Sequence, residues 1–116
     1  MISHLVLMKP RSDLPVDERR AFIASFEQAV RTIPSVRGVR VGRRVRLGAA
    51  YESVSPDTAD FFAAIDFDDM AGLQAYLGHP AHEELGTRFY QSLSSGWAYD
   101  FEVGGLEMLR AVAQAP

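Results

Sequence analysis

Three histidines and one tyrosine hold most of the chemistry this chain can offer. His79-Pro80-Ala81-His82 follows directly on Leu73-Gln74-Ala75-Tyr76. Proline is favoured in the first turn of a helix, so Pro80 puts His79 near the cap and His82 inside the first turn. The positive end of the helix dipole disfavours an imidazolium there. A neutral imidazole accepts protons, which suits His82 to act as a general base removing a hydrogen α to a carbonyl. Tyr76 would donate a hydrogen bond to the developing enolate oxygen, in the manner of an oxyanion-hole donor. Such a pair needs neither a metal nor a nucleophile. A structural alternative stands beside it. A histidine at a helix start often bonds a carbonyl or carboxylate, for which Asp100 is available, and Tyr76 can simply cover the core with its hydroxyl reaching solvent.

Other chemistries fit less well. His79 and His82 are three apart with Glu83 and Glu84 beside them, but a zinc site normally needs a third protein ligand. His4 is the remaining histidine, and no H-E-x-x-H occurs, so no metal is expected. Between Arg37 and Arg46 lie five arginines in ten residues. That run reads either as an anion site for a carboxylate or phosphate, or as a solvated strand face offset by Glu52, Asp57 and Asp60. No aromatics interleave with it, which argues against single-stranded nucleic acid. Gly38, Gly42 and Gly48 open no helix and make no dinucleotide fingerprint. No G-x-S-x-G is present. No cofactor is expected.

The elements that must position these residues follow from periodicity. Ile2 to Lys9 reads as a strand ended by Pro10. From Asp17 to Ile33, Phe22, Phe26, Ala29, Val30 and Ile33 trace one helical face, and Pro34 stops it. Aromatics spaced like Phe22 and Phe26 are usually core. Val36 to Leu47 alternates as a second strand, with Val39, Val41, Val45 and Leu47 opposite Arg40, Arg44 and Arg46. Residues 48–59 form a loop, and Asp60 to Phe67 is a third strand. Asp68 or Asp69 caps a short helix with Met70, Leu73 and Leu77, ended by Gly78. His79-Pro80 starts another helix running to about Ser94, and Trp97 to Val103 is a fourth strand.

The order is β-α-β-β-α-β, an α+β domain with a ferredoxin-like sheet carrying its helices on one face. The other face ought to be polar if it meets water, yet it is not. Leu5 and Leu7 alternate with His4, Val6 and Met8, and Phe62 and Ala64 alternate with Phe61, Ala63 and Ile65. Trp97, Tyr99 and Phe101 add an aromatic stripe. At about 1.5–3 kcal/mol per large apolar side chain, this face calls for a second sheet. Another copy of the chain, in a two-fold homodimer, is the expected cover.

Composition sets the outer bounds. The 116 residues, 47% of them hydrophobic, suffice for one domain and not two. A net charge of −3 argues against nucleic-acid or membrane-surface binding. The absence of cysteine excludes disulfides and thiolate chemistry. The apolar start carries no basic region and is too short for a signal peptide, so a soluble cytoplasmic protein is expected. Leu106, Leu109 and Val112 would make one short amphipathic helix in a tail over 104–116.

The Leu73–Tyr76 and His79–His82 segments, with Ser3-His4-Leu5-Val6, Ile33-Pro34-Ser35-Val36 and Ala98-Tyr99-Asp100-Phe101, resemble the stress-responsive A/B barrel (Dabb) family over residues 1–103. The resemblance implies a dimeric α+β barrel built from two ferredoxin-like sheets face to face. In a plant polyketide cyclase of that family, a histidine and a tyrosine in this segment do the acid–base work. By position they match His82 and Tyr76. The resemblance also implies an apolar pocket between sheet and helices, walled by Phe22, Phe26, Val6, Met8, Ala63 and Ile65. His4 would line it from the first strand, or be a buried histidine bonded to backbone. Phe61 falls where the cyclase carries a further histidine, and Gly78 replaces a bulky apolar residue, which changes the pocket's shape. Three functions follow as expectations: a non-catalytic dimer binding an apolar or aromatic small molecule, a cofactor-independent cyclase or isomerase, and a cofactor-free monooxygenase.

Overall fold

The computed structural model describes residues 1–114. Its elements run β1 (Ile2–Pro10), α1 (Val16–Thr32), β2 (Gly38–Arg43), β3 (Phe61–Phe67), α2 (Met70–Leu77), α3 (Pro80–Ser92) and β4 (Leu93–Glu102), with short 3₁₀ helices at Ala50–Ser53 and Leu106–Ala113. The four strands form one sheet in the order β2-β3-β1-β4. Every neighbouring pair is antiparallel. This is the ferredoxin-like arrangement expected from the order of patterns.

Strand alternation builds the two faces. On β1, Ile2, His4, Val6 and Met8 are buried toward the helices, and Ala63, Ile65 and Phe67 join them from β3. Ala29 and Ile33 of α1, Leu73 and Tyr76 of α2, and Leu85 of α3 complete that core with Ile65 and Phe67. On the other face, Leu7 lies opposite Phe62 on one side and Trp97 on the other, and Leu5 lies opposite Ala64 and Tyr99. Trp97 and Phe101 are each 50% exposed, which leaves a continuous apolar surface without cover from its own chain. No helix among the described residues is long and apolar enough to cross a membrane.

Several boundaries differ from the periodicity. The β2 ladder ends at Arg43, opposite Phe61, instead of running from Val36 to Leu47. Asp57 explains the stop: it takes Lys9 at 2.8 Å, Arg46 at 3.1 Å and Arg44 at 3.4 Å, drawing the chain off the sheet. Those cations, Lys9 first, hold the Asp57 carboxyl below its ordinary range. Val45 and Leu47 are consequently exposed. The third strand begins at Phe61 rather than Asp60, and α1 lies one residue earlier than expected. The last helix stops at Ser92 and β4 begins at Leu93, four residues before Trp97, because Ser95 and Leu93 pair with Lys9 and Pro10 across a register shift. Within the tail over 104–116, Leu106–Ala113 is a 3₁₀ helix with exposed side chains, and residues 115–116 lie outside the described residues.

Of the two candidate caps on α2, Asp69 serves, accepting from the Gly72 backbone N–H at 2.9 Å. Asp69→Ala should therefore cost about 1 kcal/mol, read as a lower urea midpoint at unchanged slope. Asp68 instead pairs with Arg37 at 2.9 Å.

Candidate functional site

Three elements bring three rings together under the helix layer. His4 comes from β1, Tyr76 from the end of α2 and His82 from the first turn of α3. The Tyr76 ring centroid lies 4.7 Å from that of His82, 5.2 Å from Phe67 and 6.0 Å from His4. The His79-Pro80 junction creates this cluster by ending one helix and starting the next within a few residues. His79 itself caps α3, its Nδ1 accepting from the Ala81 backbone N–H at 3.1 Å. A ring nitrogen that accepts carries no proton, so His79 has a structural task.

Asp100 partners His4, not a histidine at the start of α3. The two residues face each other across β1 and β4, and His4 Nδ1 lies 2.5 Å from Asp100 Oδ1. A carboxylate only accepts, so Nδ1 donates, and in the neutral ring Nε2 is left as the acceptor. His4 is thus bonded to a side chain rather than to backbone. The Tyr76 side chain is 1% exposed and does not reach solvent in the way a mere surface cover would.

Burial decides the acid–base character of this cluster. It pushes the Tyr76 hydroxyl up to about 12, so the ring stays a neutral hydrogen-bond donor. Burial also pulls His82 below its ordinary value, and the nearby His4 adds to that, against smaller opposing effects of the Leu77 carbonyl and Glu83. A neutral His82 follows. The unfolded chain protonates its imidazole near the ordinary 6.5 while the folded chain does not, so acid favours unfolding over that interval. His82→Gln should flatten the fall in stability as the pH drops below the ordinary imidazole value of about 6.5, measured by denaturant titration on both sides of it. An unchanged slope would mean that His82 is not buried in its neutral form.

A cavity of about 690 Å³ opens at the other end of the sheet, where Met8 and Pro10 of β1 and Phe61 of β3 face α1. Met8, Leu14, Phe22, Ile23, Phe26 and Phe61 supply much of its apolar wall. Of the residues expected around a pocket, Met8, Phe22, Phe26 and Phe61 line this one. Val6 and Ala63 pack behind it with Met8. Ile65 belongs to the core around Phe67 and Tyr76, and His4 and His82 belong to the ring cluster. The apolar cavity and the acid–base rings are therefore separate regions, with no lining residue in common. Pattern reading missed Leu14, Ile23 and Arg43 as wall residues, although the alternation that set Val41 on one strand face also sets Arg43 there. A second concavity of about 630 Å³ lies on the open sheet face, lined by Leu7, Trp97, Tyr99 and the segment before β3, and it shares Arg43, Phe61 and Phe62 with the first. Among the described residues no group of three His, Asp or Glu side chains could hold a metal.

Solved structures share this fold. An Arabidopsis thaliana protein aligns with a TM-score of 0.74 at 18% identity, covering 91% of this chain and 98% of its own. A hydroxynitrile lyase from Passiflora edulis aligns with a TM-score of 0.74 at 14% identity, covering 89% of this chain and 93% of its own. A dimeric ferredoxin-like protein of unknown function from Thermobifida fusca aligns with a TM-score of 0.67 at 22% identity, covering 88% and 90%. A search of curated proteins found no match. The stress-responsive A/B barrel domain model matches residues 2–103. With a ferredoxin-like sheet, a one-sided helix layer and that match over nearly all of its length, the chain belongs to the Dabb family.

Proposed function

We propose that the protein is a homodimer, closed through its open sheet faces, that binds an apolar small molecule between α1 and the sheet. The observation carrying this reading is the cavity of about 690 Å³ with its wall of aliphatic and aromatic side chains. Its size falls in the range of ligand sites, about 300–1,000 Å³. The exposed stripe of Trp97, Tyr99 and Phe101 supports the dimer, as does the dimeric state of the Thermobifida fusca neighbour. A chain without cysteine needs no oxidising compartment, in keeping with a cytoplasmic location. Native mass spectrometry of freshly purified protein tests both parts together. The expected result is a dimer carrying added mass that is lost in Phe26→Asp. A monomer would overturn the dimer, and failure to retain or take up any apolar compound would overturn the cavity's role.

A second reading is favoured by the Tyr76–His82 contact at 4.7 Å and by the neutral state of His82. In it the protein is a cofactor-independent cyclase or isomerase. His82 takes the proton α to a carbonyl, Tyr76 donates to the enolate oxygen, and the Asp100-bound His4 orients the group. That the same fold serves a hydroxynitrile lyase in Passiflora edulis is compatible with an enzyme. Tyr76→Phe and His82→Gln separate the two readings: turnover disappears under the second, while apolar ligand binding persists under the first.

A further inference from the structure

The charged residues on the cavity wall point to the kind of molecule it takes. Arg19, Glu27 and Arg43 stand among the apolar lining. The Arg19 guanidinium is already committed, donating to the carbonyls of Leu14 at 2.8 Å, Arg11 at 3.1 Å and Ser12 at 3.3 Å. Glu27 faces Arg31 at 3.6 Å. Along the arginine-rich stretch, Arg37 pairs with Asp68, and Arg44 and Arg46 pair with Asp57. Among the described residues, Arg43 has no such carboxylate partner. Arg40 has none either, but it lies opposite Ala64 on the other sheet face, away from this cavity. Arg43 lies opposite Phe61, on the same strand face as Val41, and all three residues line the cavity.

We infer that the ligand is an amphipathic carboxylate, its apolar body among Met8, Phe22, Phe26 and Phe61 and its head group on the guanidinium of Arg43. This assignment rests on the cavity reading above and sharpens it. A guanidinium presents a planar pair of donors that matches a carboxylate. Among the described residues Arg43 is the wall cation whose donors are free, and a single guanidinium fork seats one carboxylate, whereas a phosphate monoester would bring a second negative charge toward Glu27. A neutral amphiphile would leave Arg43 unused, and a cationic one would be repelled by it.

Isothermal titration calorimetry with dodecanoate, dodecanol and dodecyltrimethylammonium, each below its micelle concentration, tests the assignment. Dodecanoate should bind at least about tenfold more tightly than dodecanol, the usual scale of a charge-assisted hydrogen bond. The cationic amphiphile should bind weakest. Arg43→Gln should remove most of the carboxylate preference while leaving dodecanol affinity unchanged, and Arg43→Lys should restore part of it. Equal binding of acid and alcohol, or a preference that survives Arg43→Gln, overturns the head-group assignment and leaves the apolar cavity standing. Failure of all three compounds to bind overturns the cavity reading itself. If a variant does not fold, the ranking of the three compounds on the natural protein still decides.

Discussion

Leu7→Glu should yield a monomer if the open sheet faces close on each other as proposed. Leu7 sits in the middle of the open sheet face, with Phe62 and Trp97 as its cross-strand neighbours. If two such faces close on each other, a carboxylate there loses its water and finds only apolar partners, at a cost of several kcal/mol. Two-fold symmetry applies the penalty twice. The helix-side core does not contain Leu7, so each chain keeps its fold. Sedimentation velocity should show the mass halved, while far-ultraviolet circular dichroism stays that of the natural protein. A variant that remains dimeric would place the interface on another surface, leaving Trp97, Tyr99 and Phe101 to be explained some other way.

Phe67→Ala should be among the most damaging single truncations in the core. Phe67 is fully buried at the end of β3, opposite Ile2, and packs its ring 5.2 Å from that of Tyr76. Removing a buried phenyl ring costs about 3–5 kcal/mol, the transfer energy plus the cavity left behind. Against a total of about 5–15 kcal/mol for a typical domain, that is a large share. Thermal unfolding should fall by more than about 10 °C. Since Tyr76 rests on Phe67 and His82 rests on Tyr76, the fall in stability with acid attributed to His82 should also weaken. A loss below about 1 kcal/mol would mean that this end of the core is not close-packed.

Much of this architecture was legible in local pattern. Period-two alternation in β1 and β3, the Phe22–Ile33 face of α1 and the break at Gly78-His79-Pro80 each depend on a few adjacent residues. The resulting element order left few topologies. Boundaries were less legible where a distant partner intervenes. Val45 and Leu47 continue the β2 alternation perfectly well, but the Asp57 carboxylate takes Arg44 and Arg46 away from the ladder. The start of β4 depends on where Lys9 and Pro10 run out of partners. The site shows the same division. The family resemblance paired Tyr76 with His82, and the folded chain sets their rings 4.7 Å apart. Pattern offered Asp100 as an available partner for a histidine at the helix start, whereas it meets His4, 96 positions away, through strand register.

The sequence by itself determined the α+β class, the order of elements and the apolar character of both sheet faces. Those properties follow from side-chain type and backbone period, which act over a turn or a strand. Tertiary structure alone decided which charges are spent and which are free. Five arginines in a row of ten residues are alike in pattern. Only the folded chain sets Asp68 against Arg37 and Asp57 against Arg44 and Arg46, leaving Arg43 on the wall of an apolar cavity. Ion pairing depends on distances between residues remote in the chain, and those distances come into being only when the sheet assembles.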